Sequence, residues 1–406
     1  MKEGWEYRTL GECCEKINGL WKGKKEPFVN VGVIRNANFT KEMTLDFSNI
    51  EYLYVEEKQF KTRKLRKGDL IVEKSGGSEK QPVGRAVLFL KEEGDYSFSN
   101  FTSVLRILNK DELLYNFLYK YLLYIYRRGD TKSMQKATTG IHNIEFEKYL
   151  NIQVPIIPMD EQRRIVSYLD SSFKLIDEIK NKALKSLTEA KALFQSALAE
   201  AMEPKEGWEE KTLGECCDKI NGLWKGKKPP FIYVGVIRNA NFTKKMTLDF
   251  SNIEYLDVEV KQYNSRKLKR GDLIIEKSGG SEKQPVGRAV LFLKGDGEYS
   301  FSNFTSVLRI KNNEELNYYF LYYFLLYIYQ RGDTKTMQKA TTGIHNIEFE
   351  KYLNIKIPIM SLNEQRRIVS YLDKLSSKVR AIEEKYQKMV EECDALKQAM
   401  LRDVFE

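Results

Sequence analysis

Histidine and cysteine are scarce in this chain of 406 residues. Histidine occurs only at His142 and His345, and cysteine only at Cys13, Cys14, Cys216, Cys217 and Cys393. No CxxC spacing occurs, so a His/Cys zinc site is not expected. Four of the cysteines form adjacent pairs, which do not easily close a relaxed disulfide. The expected compartment is therefore the reducing cytoplasm. Long apolar runs are missing as well. The most apolar stretch, residues 117–126, contains Lys120 and is half as long as the about 20 residues a bilayer span needs. It reads as a buried aromatic helix. The start, Met1-Lys2-Glu3-Gly4-Trp5-Glu6, has no apolar signal core.

What is present suits a folded chain of two to three domains. Apolar residues make up 42% and aromatics 12%, enough for a sizeable core. Lys and Arg total 67 against 57 Asp and Glu, a formal charge of +10. The sequence pI is near 9.0. That balance favours a polyanion partner, nucleic acid first and an acidic membrane surface second.

The chain is one unit written twice. Gly4-Trp5 recurs as Gly207-Trp208, and 207 − 4 = 203. The register never slips. Lys74-Ser75-Gly76-Gly77-Ser78 returns as Lys277-Ser278-Gly279-Gly280-Ser281. Thr138-Thr139-Gly140-Ile141-His142-Asn143 returns as Thr341-Thr342-Gly343-Ile344-His345-Asn346. Twice 203 is 406, so the repeat fills the chain. A period this long is a duplicated module rather than a solenoid.

Each unit has two textures. The first mixes turns with β-branched and aromatic runs at residues 28–34, 69–72, 86–90 and 104–107, which read as strands. A helix is expected over about residues 111–126. Then the pattern changes. No Gly or Pro occurs between Asp160, a candidate N-cap, and Pro204. Ile165, Leu169, Phe173, Ile176, Ala183, Leu187, Ala190, Phe194, Ala197 and Ala201 recur in steps of three or four, with one step of seven. About 42 such residues make a rod of roughly 60 Å. The second unit repeats the stripe from Asn363. A helix with one apolar stripe needs a partner, and the other copy is the simplest one. The expected fold class is α+β: two mixed globular domains, residues 1–157 and 204–360, separated by two long antiparallel helices, residues 158–203 and 361–406. The helices would form a coiled coil with pseudo-two-fold symmetry.

Certain runs then resemble a known family. They are Thr139-Gly140-Ile141-His142-Asn143-Ile144, Leu150-Asn151-Ile152-Gln153-Val154-Pro155, and Glu161-Gln162-Arg163-Arg164-Ile165-Val166-Ser167-Tyr168-Leu169-Asp170. Gly68-Asp69-Leu70-Ile71, followed by the loop from Ser75 to Arg85, belongs with them. Together they resemble target recognition domains of the specificity (S) subunits of Type I restriction–modification systems. The most specific run recurs as Glu364-Gln365-Arg366-Arg367-Ile368-Val369, and the resemblance covers essentially the whole chain. It implies a non-catalytic DNA-binding subunit that works with two methyltransferase (M) subunits and, for cleavage, restriction (R) subunits. S-adenosylmethionine would belong to the methyltransferase, and ATP and Mg to a restriction subunit; this chain itself would bind no cofactor. The family's two recognition domains are usually unlike, whereas these are nearly identical. The expected target is therefore an interrupted palindrome, with half-site centres about one helical turn, about 34 Å, apart.

Candidate reading residues fall in four places. The loop of residues 74–85 offers Lys74, Ser75, Gly76, Gly77, Ser78, Lys80, Gln81 and Arg85, repeated as Lys277, Ser278, Gly279, Gly280, Ser281, Lys283, Gln284 and Arg288. Glycines let backbone amides approach phosphates, and Arg and Gln can meet guanine and adenine edges. An ordinary hairpin loop has the same composition. The loop of residues 19–25 offers Lys22, Lys24 and Lys25, repeated as Lys225, Lys227 and Lys228, beside Trp21, which suits a core or a surface equally. Arg35, Asn36 and Asn38, repeated as Arg238, Asn239 and Asn241, suit base edges or turn chemistry. Lys136, Thr138, Thr139 and His142, repeated as Lys339, Thr341, Thr342 and His345, form a basic, hydroxyl-rich connection.

Two other functions compete. A tandem Mg-dependent nuclease would use Asp46 with Glu56, Glu57 and Lys58, and Asp249 with Glu259 and Lys261. A scaffold would use only the coiled coil. Pro229-Pro230-Phe231 follows Lys228, so the near-match to an amino-methyltransferase motif fails. The sharpest differences between copies are Asn30/Tyr233, Tyr54/Asp257, Glu57/Val260 and Lys120/Tyr323. None lies in the candidate loops.

Overall fold

The structure is a computed structural model. It describes residues 4–21, 23, 25–79, 81–138, 140–224, 228–282, 284–341 and 343–406, apart from the side chains at 138 and 341. The chain divides into two compact units, Met1–Leu184 with Lys388–Glu406, and Lys185–Gln387.

The first unit opens with β1 (Glu6–Thr9), α1 (Leu10–Cys13), β2 (Cys14–Asn18), β3 (Phe28–Ile34) and β4 (Glu51–Glu56). Next come α2 (Glu57–Arg63), β5 (Leu70–Glu73), β6 (Ser75–Gly77), β7 (Ala86–Leu88), β8 (Tyr96–Phe98) and β9 (Thr102–Ile107). It continues through α3 (Tyr115–Arg128), β10 (Gln135–Thr138), β11 (Ile141–Ile144), α4 (Phe146–Leu150) and β12 (Gln153–Ile156). The long helix α5 (Met159–Met202) then leaves the globule.

The strands form four small sheets, ordered β2-β9-β5-β7, β4-β3-β8, β10-β11-β6 and β1-β12. Leu70, Ile71 and Val72 of β5 are buried on both faces, as the continuous apolar run requires. On β3 the alternation holds over the first half, and the last four residues are buried. Val31 and Val33 point into the core, while Phe28 and Asn30 face out. The second unit repeats these elements 203 residues later, with β-sheet orders to match.

The aromatic run does form a buried helix, but several boundaries differ from expectation. α3 begins at Tyr115 rather than near 111, because residues 109–111 fold into an Asx turn in which the Asp111 amide donates to Asn109 Oδ1 at 3.0 Å. It ends at Gly129, whose φ of 92° supplies the left-handed cap. The long helices run Met159–Met202 and Leu362–Phe405, so Asp160 lies in the first turn rather than at the N-cap. There its carboxylate meets the helix dipole and Arg163 at 2.8 Å. β7 stops at Leu88, short of the expected Leu90.

The long helices pair within each unit, and the order of contacts fixes their direction. In the first unit Asp177 pairs with Lys397, and Lys180 Nζ meets Asp394 Oδ1 at 2.7 Å. Residue number rises along one helix as it falls along the other, so the pair is antiparallel. Ile165, Leu169 and Phe173 join the first core, with Leu401, Val404 and Phe405. The Phe405 ring packs 5.2 Å from Tyr121 and 5.7 Å from Phe117 on α3. In the second unit the equivalent place belongs to fully buried Met202, beside Ile368 and Leu372. Each globule thus receives the start of its own long helix and the end of the other.

Gln162 fastens that start. It is fully buried, its Oε1 accepts from the Leu114 amide at 2.9 Å, and its Nε2 donates to the carbonyls of Glu112 and Ile157 at 2.7 and 2.8 Å. Gln365 repeats all three bonds. The Gln of the Glu-Gln-Arg-Arg run is therefore a weld between helix and globule. Its flanking arginines face outward; Arg164 is held by Glu161 at 2.6 Å.

Candidate nucleic-acid interface

Two stretches far apart in sequence meet in one sheet. β6, from the loop of residues 74–85, pairs with β11, from the Thr-Gly-Ile-His-Asn run. His142 lies opposite Gly77 and Asn143 opposite Ser75, with a register irregularity between them. The Ile144 amide donates to the Lys74 carbonyl at 2.8 Å. A third stretch closes on the same strand: Asn36 Nδ2 donates to the Ser75 carbonyl at 2.5 Å. Arg35, Asn36, Lys74, Ser75, Gly76, Gly77, Lys136 and His142 are thereby gathered around one three-stranded sheet.

The glycines are required by space. A Cβ at Gly77 would sit 2.7 Å from Val83 Cγ1 and 2.8 Å from the Gln81 carbonyl oxygen. Gly76 has φ +103° and leaves its backbone exposed beside Asn36. Beyond β6 the chain turns tightly, with Ser78 and Gln81 exchanging backbone hydrogen bonds at 2.8 and 3.2 Å. Both side chains are exposed, as are Lys132 and Lys136. Ser75 is buried.

Lys74 is half-buried, and its ammonium is pushed below the usual lysine range, first by burial and then by the charge of Lys16. Lys16 lies 4.3 Å over the Phe146 ring. Lys277 is lowered in the same way, by burial and Lys219. Two cations share this space in each unit, an arrangement that an anion relieves.

Three polar atoms here are buried and have no hydrogen-bond partner among the described residues: Arg35 Nε, Asn36 Oδ1 and His142 Nδ1. Arg238 Nε, Asn239 Oδ1 and His345 Nδ1 repeat the pattern. Buried polar groups are nearly always paired, so their recurrence at one place marks a surface able to take a polar ligand. Arg35 also pairs with Glu51 through Nη1.

Other candidates do different work. Arg85 is buried, its Nε and Nη2 gripping Glu73 at 2.8 and 3.0 Å. Arg288 does the same with Glu276 at 2.7 and 2.9 Å. Asn38 is 2% exposed, accepts from the Arg35 amide at 2.9 Å and donates to the Asn49 carbonyl at 3.1 Å. Asn241 matches it. These four side chains hold the site's frame and present nothing outward.

The Trp21 loop is a separate place. Trp21 and Trp224 are exposed at 61% and 62%, so neither is core. Gly19 lets the chain pass the Ser99 carbonyl, 1.9 Å from where a Cβ would stand. The Trp21 amide donates to Gln59 Oε1 at 3.0 Å and the Lys25 amide to Glu56 Oε1 at 2.9 Å, which fixes the loop against β4 and α2. Lys25 and Lys228 are exposed. Lys22, Lys24, Lys80, Thr139, Lys225, Lys227, Lys283 and Thr342 lie outside the described residues, as do the side chains of Thr138 and Thr341.

The outer face of β3 and β4 is a surface that sequence reasoning misses. Phe28, Tyr52 and Tyr54 are exposed there, next to the Trp21 loop. Strand alternation at residues 28 and 30 is the signal that could have found it. Asn30 lies opposite Tyr54, and Tyr233 opposite Asp257. Two of the sharpest differences between copies are therefore one cross-strand pair.

The acidic residues considered for a nuclease are engaged separately. Asp46 accepts from the Ser48 amide at 2.8 Å, Glu56 supports the Trp21 loop, and Glu57 pairs with Lys61 at 2.8 Å. Among the described residues no group of three His, Cys, Asp or Glu is placed to hold a metal ion.

The chain is 22% identical to the StySPI specificity subunit of Salmonella potsdam, over all of this chain and 89% of that protein. It is 23% identical to the EcoKI specificity subunit of Escherichia coli K12, with the same coverage. Among solved structures, an HsdS subunit from Thermoanaerobacter tengcongensis shares the fold with a TM-score of 0.54, 20% identity and coverage of 100% and 97% of the two chains. A chain described under complex assembly and conformational transition of the type I R-M system reaches 0.77 at 21% identity, covering 100% and 98%. Residues 2–189 and 205–392 each match the Type I restriction modification DNA specificity domain, and the chain belongs to that family of specificity subunits.

Proposed function

We propose that this chain is the non-catalytic reading subunit of a complex with two methyltransferase subunits, and that its two units bind like half-sites on opposite strands of duplex DNA. The observation that carries the reading is the repeated sheet. Lys74, Gly76, Asn36 and His142 recur as Lys277, Gly279, Asn239 and His345 with the same pairings and the same unpartnered polar atoms. Lysines and glycine amides suit phosphates, which position, while Arg35 and Asn36 suit base edges, which specify. Nearly identical units read nearly identical half-sites, so the target we propose is an interrupted palindrome. The methyltransferase partner would supply S-adenosylmethionine and flip the target base. A restriction subunit, where one joins, would supply the ATP and Mg chemistry. No described helix is long and apolar enough to cross a membrane.

The salt dependence of duplex binding tests this reading. Lys74→Ala with Lys277→Ala should flatten the slope of log affinity against log salt by about 0.9 for each phosphate no longer neutralised. An unchanged slope and affinity would remove this sheet from the interface.

A further inference from the structure

The second unit contains a cleft of about 1020 Å³ between the loop at residues 244–250, the helix Tyr318–Arg331 and the paired long-helix segments. Every lining residue falls within the second unit. Its volume is in the range that holds a small ligand.

At the matching place in the first unit the buried Phe173 side chain packs into the core. There the Phe173 ring lies between two ammonium groups, 4.8 Å from Lys120 Nζ and 5.2 Å from Lys397 Nζ. Lys120 is held by Asp170 at 2.6 Å and Lys397 by Asp177. At the 203-residue offset, Ser376 replaces Phe173, Tyr323 replaces Lys120, Phe194 replaces Lys397 and Arg380 replaces Asp177. Exchanging a phenyl ring for a hydroxymethyl group opens the space. Exchanging aspartate for arginine adds a cation to the lining, while the replacement of Lys120 and Lys397 by rings removes two.

The new lining has two chemistries. Phe194, Tyr319 and Tyr322 contribute rings. Lys191, Lys244 and Arg380 contribute charges with no ion-pair partner among the described residues. Lys245 is balanced by Glu383 at 3.2 Å, and Asp373 accepts from Tyr323 at 2.6 Å, so the cleft's own acids are engaged. Rings pack against a flat heteroaromatic, and guanidinium and ammonium groups bind phosphate oxygens.

We infer that this cleft is a binding site for a flat-ringed phosphate ester of the nucleotide class, present in the second unit and closed by Phe173 in the first. The inference rests on the second unit alone; Gln284, a candidate reading residue, and the Glu276-held Arg288 also line the cleft. Isothermal titration of the full chain with ATP, adenosine and inorganic tripolyphosphate tests it. ATP should bind at one site per chain and more tightly than either fragment. Ser376→Phe and Arg380→Asp each import the first unit's own residue, and each should weaken ATP binding at least tenfold without moving the melting temperature. Lys191→Ala with Lys244→Ala, both exposed side chains, gives the same readout should either import disturb folding. No ATP binding, binding unchanged in these variants, displacement of ATP by duplex DNA, or preference for an acidic peptide would overturn it.

Discussion

At the residue scale the site depends on atoms whose places leave little choice. Gly77 has no room for a methyl group against Val83 and the Gln81 carbonyl. Gly77→Ala should therefore distort the turn after β6 and weaken DNA binding more than it lowers stability. Comparing duplex affinity with the melting temperature checks this; a larger loss of stability than of affinity would contradict it. Lys74 gives a pH signature. Burial and Lys16 lower its pKa in the free protein, and a bound phosphate would raise it again. Affinity should therefore be full below the free-state pKa and fall as pH rises from the free toward the bound value, beginning earlier than an ordinary lysine would allow. Duplex binding measured from neutral to alkaline pH should show this fall, and Lys74→Arg with Lys277→Arg should shift it upward. Gln162 is structural: Gln162→Leu strands buried backbone groups at Leu114, Glu112 and Ile157 and should cost on the order of 2–3 kcal/mol. Urea denaturation measures that directly.

At the element scale, each globule is completed by the far end of the other repeat's helix. Phe405 packs on α3 of the first unit, and Met202 is buried in the second. Phe405→Ala should destabilise the first unit by about 3–5 kcal/mol. Hydrogen exchange should then rise on α3 while the helix Tyr318–Arg331 keeps its protection. The elements themselves are largely legible in the sequence. Heptad-like spacing finds the long helices, and β-branched runs find β3, β5 and β9. What escapes is pairing at a distance. Nothing local in Ser75-Gly76-Gly77 says that it is a strand, because its partner β11 lies more than 60 residues on. The roles of Arg85 and Asn38 escape for the same reason: Glu73 and Asn49 claim them only after the chain folds. Tyr54 is visible in the sequence as a difference between copies, but its position opposite Asn30 exists only in the paired strands.

At the scale of the whole molecule, duplication makes the claim unusually direct. The candidate sheet is the same in both units, whereas the copies differ at the Asn30–Tyr54 pair and around Phe173. If the sheet reads the bases, identity of sequence requires identity of half-sites, with a spacer set by the protein. If the outer face of β3 and β4 reads them, the half-sites must differ. The most direct measurement is selection of bound sequences from random duplex DNA, using the chain together with its methyltransferase partner. Two identical half-sites in inverted orientation, separated by a fixed spacer, are the predicted result. Two unlike half-sites, or no enriched sequence, would contradict the account.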